Sequence, residues 1–252
     1  MMMKKTWQTA LVVGASSGIG AALVKRLAAQ GCRVAAVARR SEELENLAVW
    51  AGSVGGGGEV RPYLADVREP QSVPELFETI TGDLGGLDLV IYAAGVMLPV
   101  QFEEYDTAKD LEMVQTNLSG AVAWLNPAAQ RFARLKRGTI VGIGSVAGDR
   151  GRSGSPVYNT SKAGLHTYLE ALRNRVARYG VKVVTIKPGF VDTAMTKGLP
   201  GLFWLISADR AAEIILTKAR KGAVTAYVPA RWRLVMLIIR SIPSFIFRRL
   251  KV

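Results

Sequence analysis

Short apolar runs alternate with helix-length segments along nearly the whole chain, and this alternation restricts the fold more than any other feature. Runs suited to strands occupy Thr9–Val13, Arg33–Ala38, Glu59–Leu64, Leu87–Ala93, Gly138–Ile143, Val181–Lys187 and Val224–Val228. Between them, helices are expected over Ile19–Gln30, Glu42–Trp50 (capped by Ser41), Pro70–Thr81, Thr107–Leu135, Val157–Tyr179 and Ala208–Arg220. Apolar strands with little alternation, each followed by a helix, indicate a parallel sheet covered on both faces. Right-handed crossovers then make it doubly wound, an α/β architecture of seven parallel strands. No repeat or linker divides the chain, and Ala51–Gly58 (AGSVGGGG) is expected to be a flexible surface turn. The 252 residues fit one such domain over residues 1–229, with a C-terminal extension over 230–252.

In a doubly wound sheet, ligands sit beyond the carboxyl ends of the strands. The first strand runs into Gly14-Ala-Ser-Ser-Gly18-Ile-Gly20, and a helix follows. Glycines there let the backbone turn tightly and approach a pyrophosphate, and the helix start offers free N–H groups. Gly14, Ser16, Ser17, Gly18, Ile19 and Gly20 are therefore candidate cofactor contacts. The second strand ends at Arg39 and Arg40, where an enzyme using NAD would commonly carry a carboxylate for the ribose hydroxyls. Two guanidinium groups suit a 2′-phosphate, which favours NADP(H). Asp66 and Val67 follow the third strand, placed to meet an adenine, and Ala94 and Gly95 form a small-residue turn after the fourth.

The chemistry is expected at the later strand ends. Ser145 follows the fifth strand; Tyr158 stands thirteen residues on and Lys162 four beyond it, in YNTSK. At that spacing Tyr158 and Lys162 share a helix face. An ammonium beside a nicotinamide would draw the phenol's pKa of about 10 toward neutrality, making it a usable acid or base for a carbonyl/alcohol pair. Ser145 can hold the same substrate oxygen.

Taken together, GASSGIG, Asn117, Ser145, Tyr158 and Lys162 resemble the short-chain dehydrogenase/reductase family, from about Thr6 to Val228. The resemblance implies a Rossmann-type sheet of seven parallel strands and a dimer or tetramer formed through the helices over 107–135 and 157–179. It implies that Tyr158 is the catalytic acid/base, that Lys162 lowers its pKa and binds the nicotinamide ribose, that Ser145 orients the substrate, and that Asn117 supports a proton-relaying water. It also implicates Pro188, Gly189, Val191 and Thr193 in contacts to the nicotinamide carboxamide. Two positions depart from the family pattern: Val13 replaces a Thr before the first glycine, and Ala93 replaces an Asn in the turn after strand four. Apolar contacts are expected to take over there.

Nine of the 33 Lys and Arg residues lie from Lys218 onward, and none of the 20 Asp and Glu; without that end the net charge of +13 would be about +4. A basic excess can serve nucleic acid, a membrane or an anionic substrate. No nucleic-acid-binding signature is present, so nucleic acid is not expected as a partner. With one cysteine (Cys32, expected to be a buried strand residue) and one histidine (His166), neither a disulfide framework nor a metal site is expected. The N-terminal apolar run is too short for a signal peptide, which points to a cytoplasmic protein.

The tail reads RWRLVMLIIRSIPSFIFRRLKV. On a helix over Trp232–Ile242, Trp232, Leu234, Val235, Met236, Ile238, Ile239 and Ile242 share a broad arc, with Arg233, Leu237, Arg240 and Ser241 opposite. That arc suits a membrane surface. It equally suits folding back over a pocket or clasping another subunit, because an apolar helix face has the same pattern whether lipid or protein covers it. The arrangement Arg-Trp…Ile-Pro…Phe-Arg-Arg is similar to the end of bacterial reductases acting on prenyl-phosphate-linked keto-sugars, and microbial reductases of long-chain keto-lipids compare equally well. Phe190, Met195, Leu199, Leu202, Phe203, Trp204, Leu205 and Ile206 would line an oily lid, facing Met97 and Leu98.

The expectation is an NADP(H)-dependent oxidoreductase interconverting a ketone and a secondary alcohol, on a hydrophobic or lipid-linked substrate, as a homo-oligomer that docks peripherally on the inner membrane surface. The alternatives are a soluble reductase of small ketones whose tail serves assembly, and a cofactor-binding sensor or scaffold without turnover.

Overall fold

The computed structural model describes residues 7–199 and 201–250; Met1–Thr6 (with the start of the family resemblance at Thr6), Pro200, and Lys251 and Val252 of the basic tail lie outside them. Seven strands form one fully parallel sheet: β1 (Thr9–Val13), β2 (Arg33–Ala38), β3 (Glu59–Leu64), β4 (Leu89–Tyr92), β5 (Thr139–Ile143), β6 (Lys182–Pro188) and, after the short β7 (Val191–Asp192) and β8 (Ile206–Ser207), β9 (Thr225–Val228). Their order is β3-β2-β1-β4-β5-β6-β9, so the winding reverses beside β1. The helices α1 (Gly18–Ala29), α2 (Ser41–Ser53), α3 (Val73–Asp83), α4 (Thr107–Val114), α5 (Gly120–Leu135), α6 (Pro156–Val176) and α7 (Ala208–Arg220) connect them. β7 and β8 pair with each other in a separate two-residue ladder, Val191 to Ile206 and Asp192 to Ser207.

Strand side chains alternate between faces, which gives the sheet two cores. Ala10 and Val12 of β1 join Leu23 and Leu27 of α1 and Ile215 of α7 on one face. Leu11 and Val13 join Phe77 of α3, Trp124 of α5 and Leu169 of α6 on the other. Every residue of β1, β4 and β5 is buried, which is why those strands read as unbroken apolar runs. β3 is an edge strand, and Pro62, which has no N–H to donate, is tolerated there. Cys32 is buried one residue ahead of β2.

Three details differ from the sequence expectation. The helix expected over Thr107–Leu135 is interrupted by a π turn at Gln115–Ser119. The buried Tyr92 hydroxyl donates to the Thr116 carbonyl at 2.5 Å, and a side chain inserted into a helical ladder is one known cause of such a bulge. Ser41 is the first residue of α2 rather than its cap; Arg40 holds the cap position and makes no side-chain capping bond. The glycine turn is not merely loose surface: a Cβ on Gly56 or Gly58 would lie 2.7 Å from the Ala29 carbonyl oxygen or 2.0 Å from that of Ala28. The turn packs directly on the end of α1.

The tail forms α8 (Trp232–Ser241) and, beyond Pro243, α9 (Ser244–Phe247). It folds back onto the domain. The predicted apolar arc divides: Trp232 and Met236 are buried, with Val235 and Ile239 packed beside them, while Leu234, Leu237 and Ile238 face outward. The residues facing inward are spaced as one narrow helix stripe.

Candidate active site

A crevice of about 480 Å³ opens at the carboxyl ends of the strands. At one end it is lined by Gly14, Ser16, Ser17, Gly18, Ile19 and Gly20 of the β1–α1 turn, by Arg39 and Arg40 after β2, and by Val67, Ala94 and Gly95. Gly14 and Gly18 have φ of +88° and +52°, which favour glycine, and a Cβ on Gly20 would lie 2.0 Å from the Gly14 carbonyl oxygen. Side chains at Gly14 and Gly20 would collide with the backbone that shapes this turn. Arg40 donates to Ser16 Oγ from Nε (3.2 Å) and Nη2 (3.0 Å), which ties the end of β2 to the phosphate turn. Asp66 does not line the crevice. Its carboxylate receives the Arg68 guanidinium, with Arg39 at 3.7 Å, and hydrogen bonding to Arg68 first of all holds its pKa below the usual range. At the two family departures, backbone contacts supply the fit: Ala93 N donates to the Val13 carbonyl at 2.8 Å, and Gly14 leaves room for the Ala94 backbone.

Ser145, Tyr158 and Lys162 line the other end with Pro188, Gly189, Val191 and Thr193. Thr193 closes on the glycine turn, where a Cβ on Gly18 would lie 3.0 Å from its Cγ2. Lys162 Nζ donates to the Ile143 carbonyl at 3.1 Å and sits 5.9 Å from the centre of the Tyr158 ring. Burial brings its pKa down to about 8. Burial also holds the Tyr158 phenol above its ordinary value, opposed by a hydrogen bond with Ser145 and then by the charge of Arg152. The groups that oppose the burial of the phenol are Ser145 and Arg152. Ser145 Oγ also accepts from Ala147 N at 3.1 Å.

Asn117 lies in the π turn behind this group. Its Oδ1 accepts from Val96 N at 2.8 Å, and its Nδ2 donates to the Val96 carbonyl at 2.9 Å and to Ser161 Oγ at 3.0 Å. It clamps the strand-four loop onto α6. Gly95 keeps this contact close, because a Cβ would press on Lys162 Nζ at 3.1 Å and Asn117 Oδ1 at 3.2 Å. Of the expected lid residues, Phe190, Met195 and Leu199 line the crevice, and so does Met97, but Leu98 does not. Phe203 and Trp204 instead join Phe190 around Trp232, with ring centres 5.1–5.9 Å apart. Trp232 lies flat against Gly189, where a Cβ would be 1.9 Å from its Nε1.

Sequence reasoning missed a buried polar group under Ser145. Asp149 accepts from Lys187 Nζ and from the Tyr227 hydroxyl, and His166 Nδ1 lies 3.7 Å away. His166 Nε2 faces Ser145 N at 3.4 Å. Burial, then the Lys187 charge, brings the His166 pKa down to about 3, so the ring is neutral and can accept there. The one available signal was spacing: His166 is one helical turn beyond Lys162. Arg150 was missed as well. Its Nη1 donates to the carbonyls of Ile239 (2.5 Å) and Ile242 (2.6 Å), and its guanidinium lies 3.8 Å from the centre of the Phe247 ring. That contact fastens the tail to the loop after Ser145.

The short chain dehydrogenase family model matches residues 8–200. An uncharacterized oxidoreductase of Myxococcus xanthus is 37% identical over 195 residues, covering 77% of this chain and 76% of that protein. A 3-oxoacyl-[acyl-carrier-protein] reductase of Bos taurus is 36% identical over 188 residues, 75% and 77% of the two chains. Among solved structures, a short-chain type dehydrogenase/reductase from Mycobacterium ulcerans superposes with a TM-score of 0.81 at 21% identity over 88% of each chain. The match in sequence, over the region that builds the sheet and the crevice, assigns this chain to the short-chain dehydrogenase/reductase family of oxidoreductases, enzymes that use nicotinamide cofactors.

Proposed function

We propose that the protein is an NADP(H)-dependent oxidoreductase that interconverts a ketone and a secondary alcohol on a hydrophobic or lipid-linked substrate. The observation that carries this reading is a single crevice with Arg39 and Arg40 at one end and Ser145, Tyr158 and Lys162 at the other. No carboxylate lines the Arg39/Arg40 end, which suits a 2′-phosphate. NADPH, when bound, supplies the hydride. Ser145 holds the substrate oxygen, Tyr158 gives it a proton, Lys162 holds the nicotinamide ribose, and Asn117 keeps the loop and α6 in register. Met97, Phe190, Met195 and Leu199 offer the apolar wall. The bovine relative is by name a reductase of 3-oxoacyl groups, which are ketones on an apolar chain.

The tail supports action at a lipid surface. Among the described residues no helix is long and apolar enough to cross a membrane. Leu234, Leu237, Ile238, Phe245 and Ile246 are exposed on α8 and α9, near the exposed Arg233, Arg240, Arg248 and Arg249. Each basic residue near an anionic surface adds about 1 kcal/mol. In this reading the enzyme is a cytoplasmic homo-oligomer that docks peripherally, as its family's members commonly assemble. The test is NADPH oxidation with long-chain ketones, with and without vesicles of phosphatidylglycerol. The reading expects NADPH to outperform NADH by at least about 10-fold and the protein to co-sediment with vesicles. Equal use of both cofactors, or no reduction of any apolar ketone, would defeat it. Replacing Leu234, Leu237 and Ile238 together by Ser should abolish sedimentation while the secondary structure is retained.

A further inference from the structure

The substrate half of the crevice holds one cation that the steps above do not use. Arg152 lies between the 3₁₀ turn at Val146–Asp149 and α6, and it lines the crevice with Ser145, Tyr158 and Asn159. The Asn159 side chain steadies this loop by donating to the Arg152 carbonyl at 3.3 Å. The guanidinium is the unusual part: Nε and Nη2 are both buried, and neither has a hydrogen-bond partner. Arginine stays protonated even where burial lowers its pKa, so this is a desolvated charge with unused donors. Leaving such a charge unpaired is costly, and structures normally avoid it.

Among the described residues, the carboxylate that acts on Arg152 is already engaged. Asp149 attracts Arg152 only at a distance, because its oxygens already accept from Lys187 and Tyr227. The cofactor's phosphates belong at the glycine turn and at Arg39 and Arg40, the opposite end. The missing acceptor therefore arrives with the substrate. We infer that Arg152 is a specificity-determining residue that pairs with an oxyanion, a carboxylate or a phosphate, carried by the ketone substrate. The apolar wall of Met97, Phe190, Met195 and Leu199 then fits the rest of that molecule, so the substrate is an amphipathic anion rather than a neutral ketone. A guanidinium fork matches either oxyanion through two parallel hydrogen bonds.

This inference rests on the crevice being the ketone site proposed above, and two measurements separate them. In the first, decanoate, decyl phosphate and decan-1-ol are titrated into the NADPH complex of the full-length protein, followed by NADPH fluorescence. Wild type should bind at least one of the two anions about 10- to 100-fold more tightly than the alcohol, and the better anion identifies which oxyanion the site takes. Arg152→Met should lose the difference, and Arg152→Lys should keep part of it. In the second, oxodecanoates with the ketone at successive positions are compared with their methyl esters by kcat/KM. The acid-to-ester ratio should exceed about 10 in wild type and approach 1 in Arg152→Met. If ketones are reduced with no charge preference, or the ratio survives in Arg152→Met, the anion site is wrong and the reductase reading stands. If the anions bind through Arg152 but no ketone is reduced, the reductase reading fails and the anion site stands. Equal binding of acid, phosphate and alcohol by wild type overturns the anion site even if Arg152→Met does not fold.

Discussion

The two halves of the crevice are built in different ways. The Arg39/Arg40 end of the cofactor half comes from neighbours in the chain: two turns directly after β1 and β2, joined by Arg40 and Ser16 only 24 residues apart. The substrate half converges from afar, with Tyr227 on Asp149 across 78 residues and Arg150 on Ile239 across 89. Local construction lets one residue change without disturbing the rest. Long-range construction makes specificity, packing and the tail a single object, so one change there moves several properties together.

The largest test is Tyr158→Phe. Removing the proton donor should lower kcat by about 10²- to 10⁴-fold while the NADPH dissociation constant stays within about 3-fold. A parallel loss of cofactor binding would erase the division between the halves. Next is Trp232→Ala, which opens a buried aromatic cluster and should cost about 3–5 kcal/mol in urea unfolding. The survivors should show a raised KM for substrate with NADPH binding little changed. A stability loss under about 1 kcal/mol would mean that the tail is not integral to the substrate half. Arg40→Ser comes third. NADPH kcat/KM should fall by about 10- to 100-fold with NADH little affected. Unfolding should be nearly unchanged, since this side chain is half exposed.

The smallest test concerns His166. Its pKa is about 3 in the folded protein against 6.5 ordinarily. Between those values the unfolded chain binds the extra proton, so stability is present above pH 6.5 and is lost as pH falls toward 3. From pH 6.5 to 5 wild type should lose roughly 1–2 kcal/mol more than His166→Gln, by urea unfolding at each pH. Equal losses would show that burial and the Lys187 charge do not hold the ring neutral.

What could be read in advance follows the same division. The glycine turn, Arg39, Arg40 and the Tyr158–Lys162 pair were legible because each depends on spacing along one strand end or one helix face. The π turn at Asn117 was not, since the Tyr92 hydroxyl that bonds into it comes from β4, far along the chain. Nor could the sequence show that Asp66 turns to Arg68, or that Arg152 is left without a counter-charge, because both depend on which way a loop side chain points. The arc of α8 left its covering open for a related reason. Hydrophobicity marks residues that avoid water, but only the surface opposite decides which of them are covered, and the rings of Phe190, Phe203 and Trp204 cover Trp232 while Leu234, Leu237 and Ile238 stay outside.

Arg150 holds the last turn of α8 by its carbonyls and stands two residues from Arg152. A force that tilts this helix is delivered through one guanidinium to the stretch leading into Tyr158. In the proposed reading, the outer side of α8 is thus a lever arm whose fulcrum lies at the mouth of the reaction chamber.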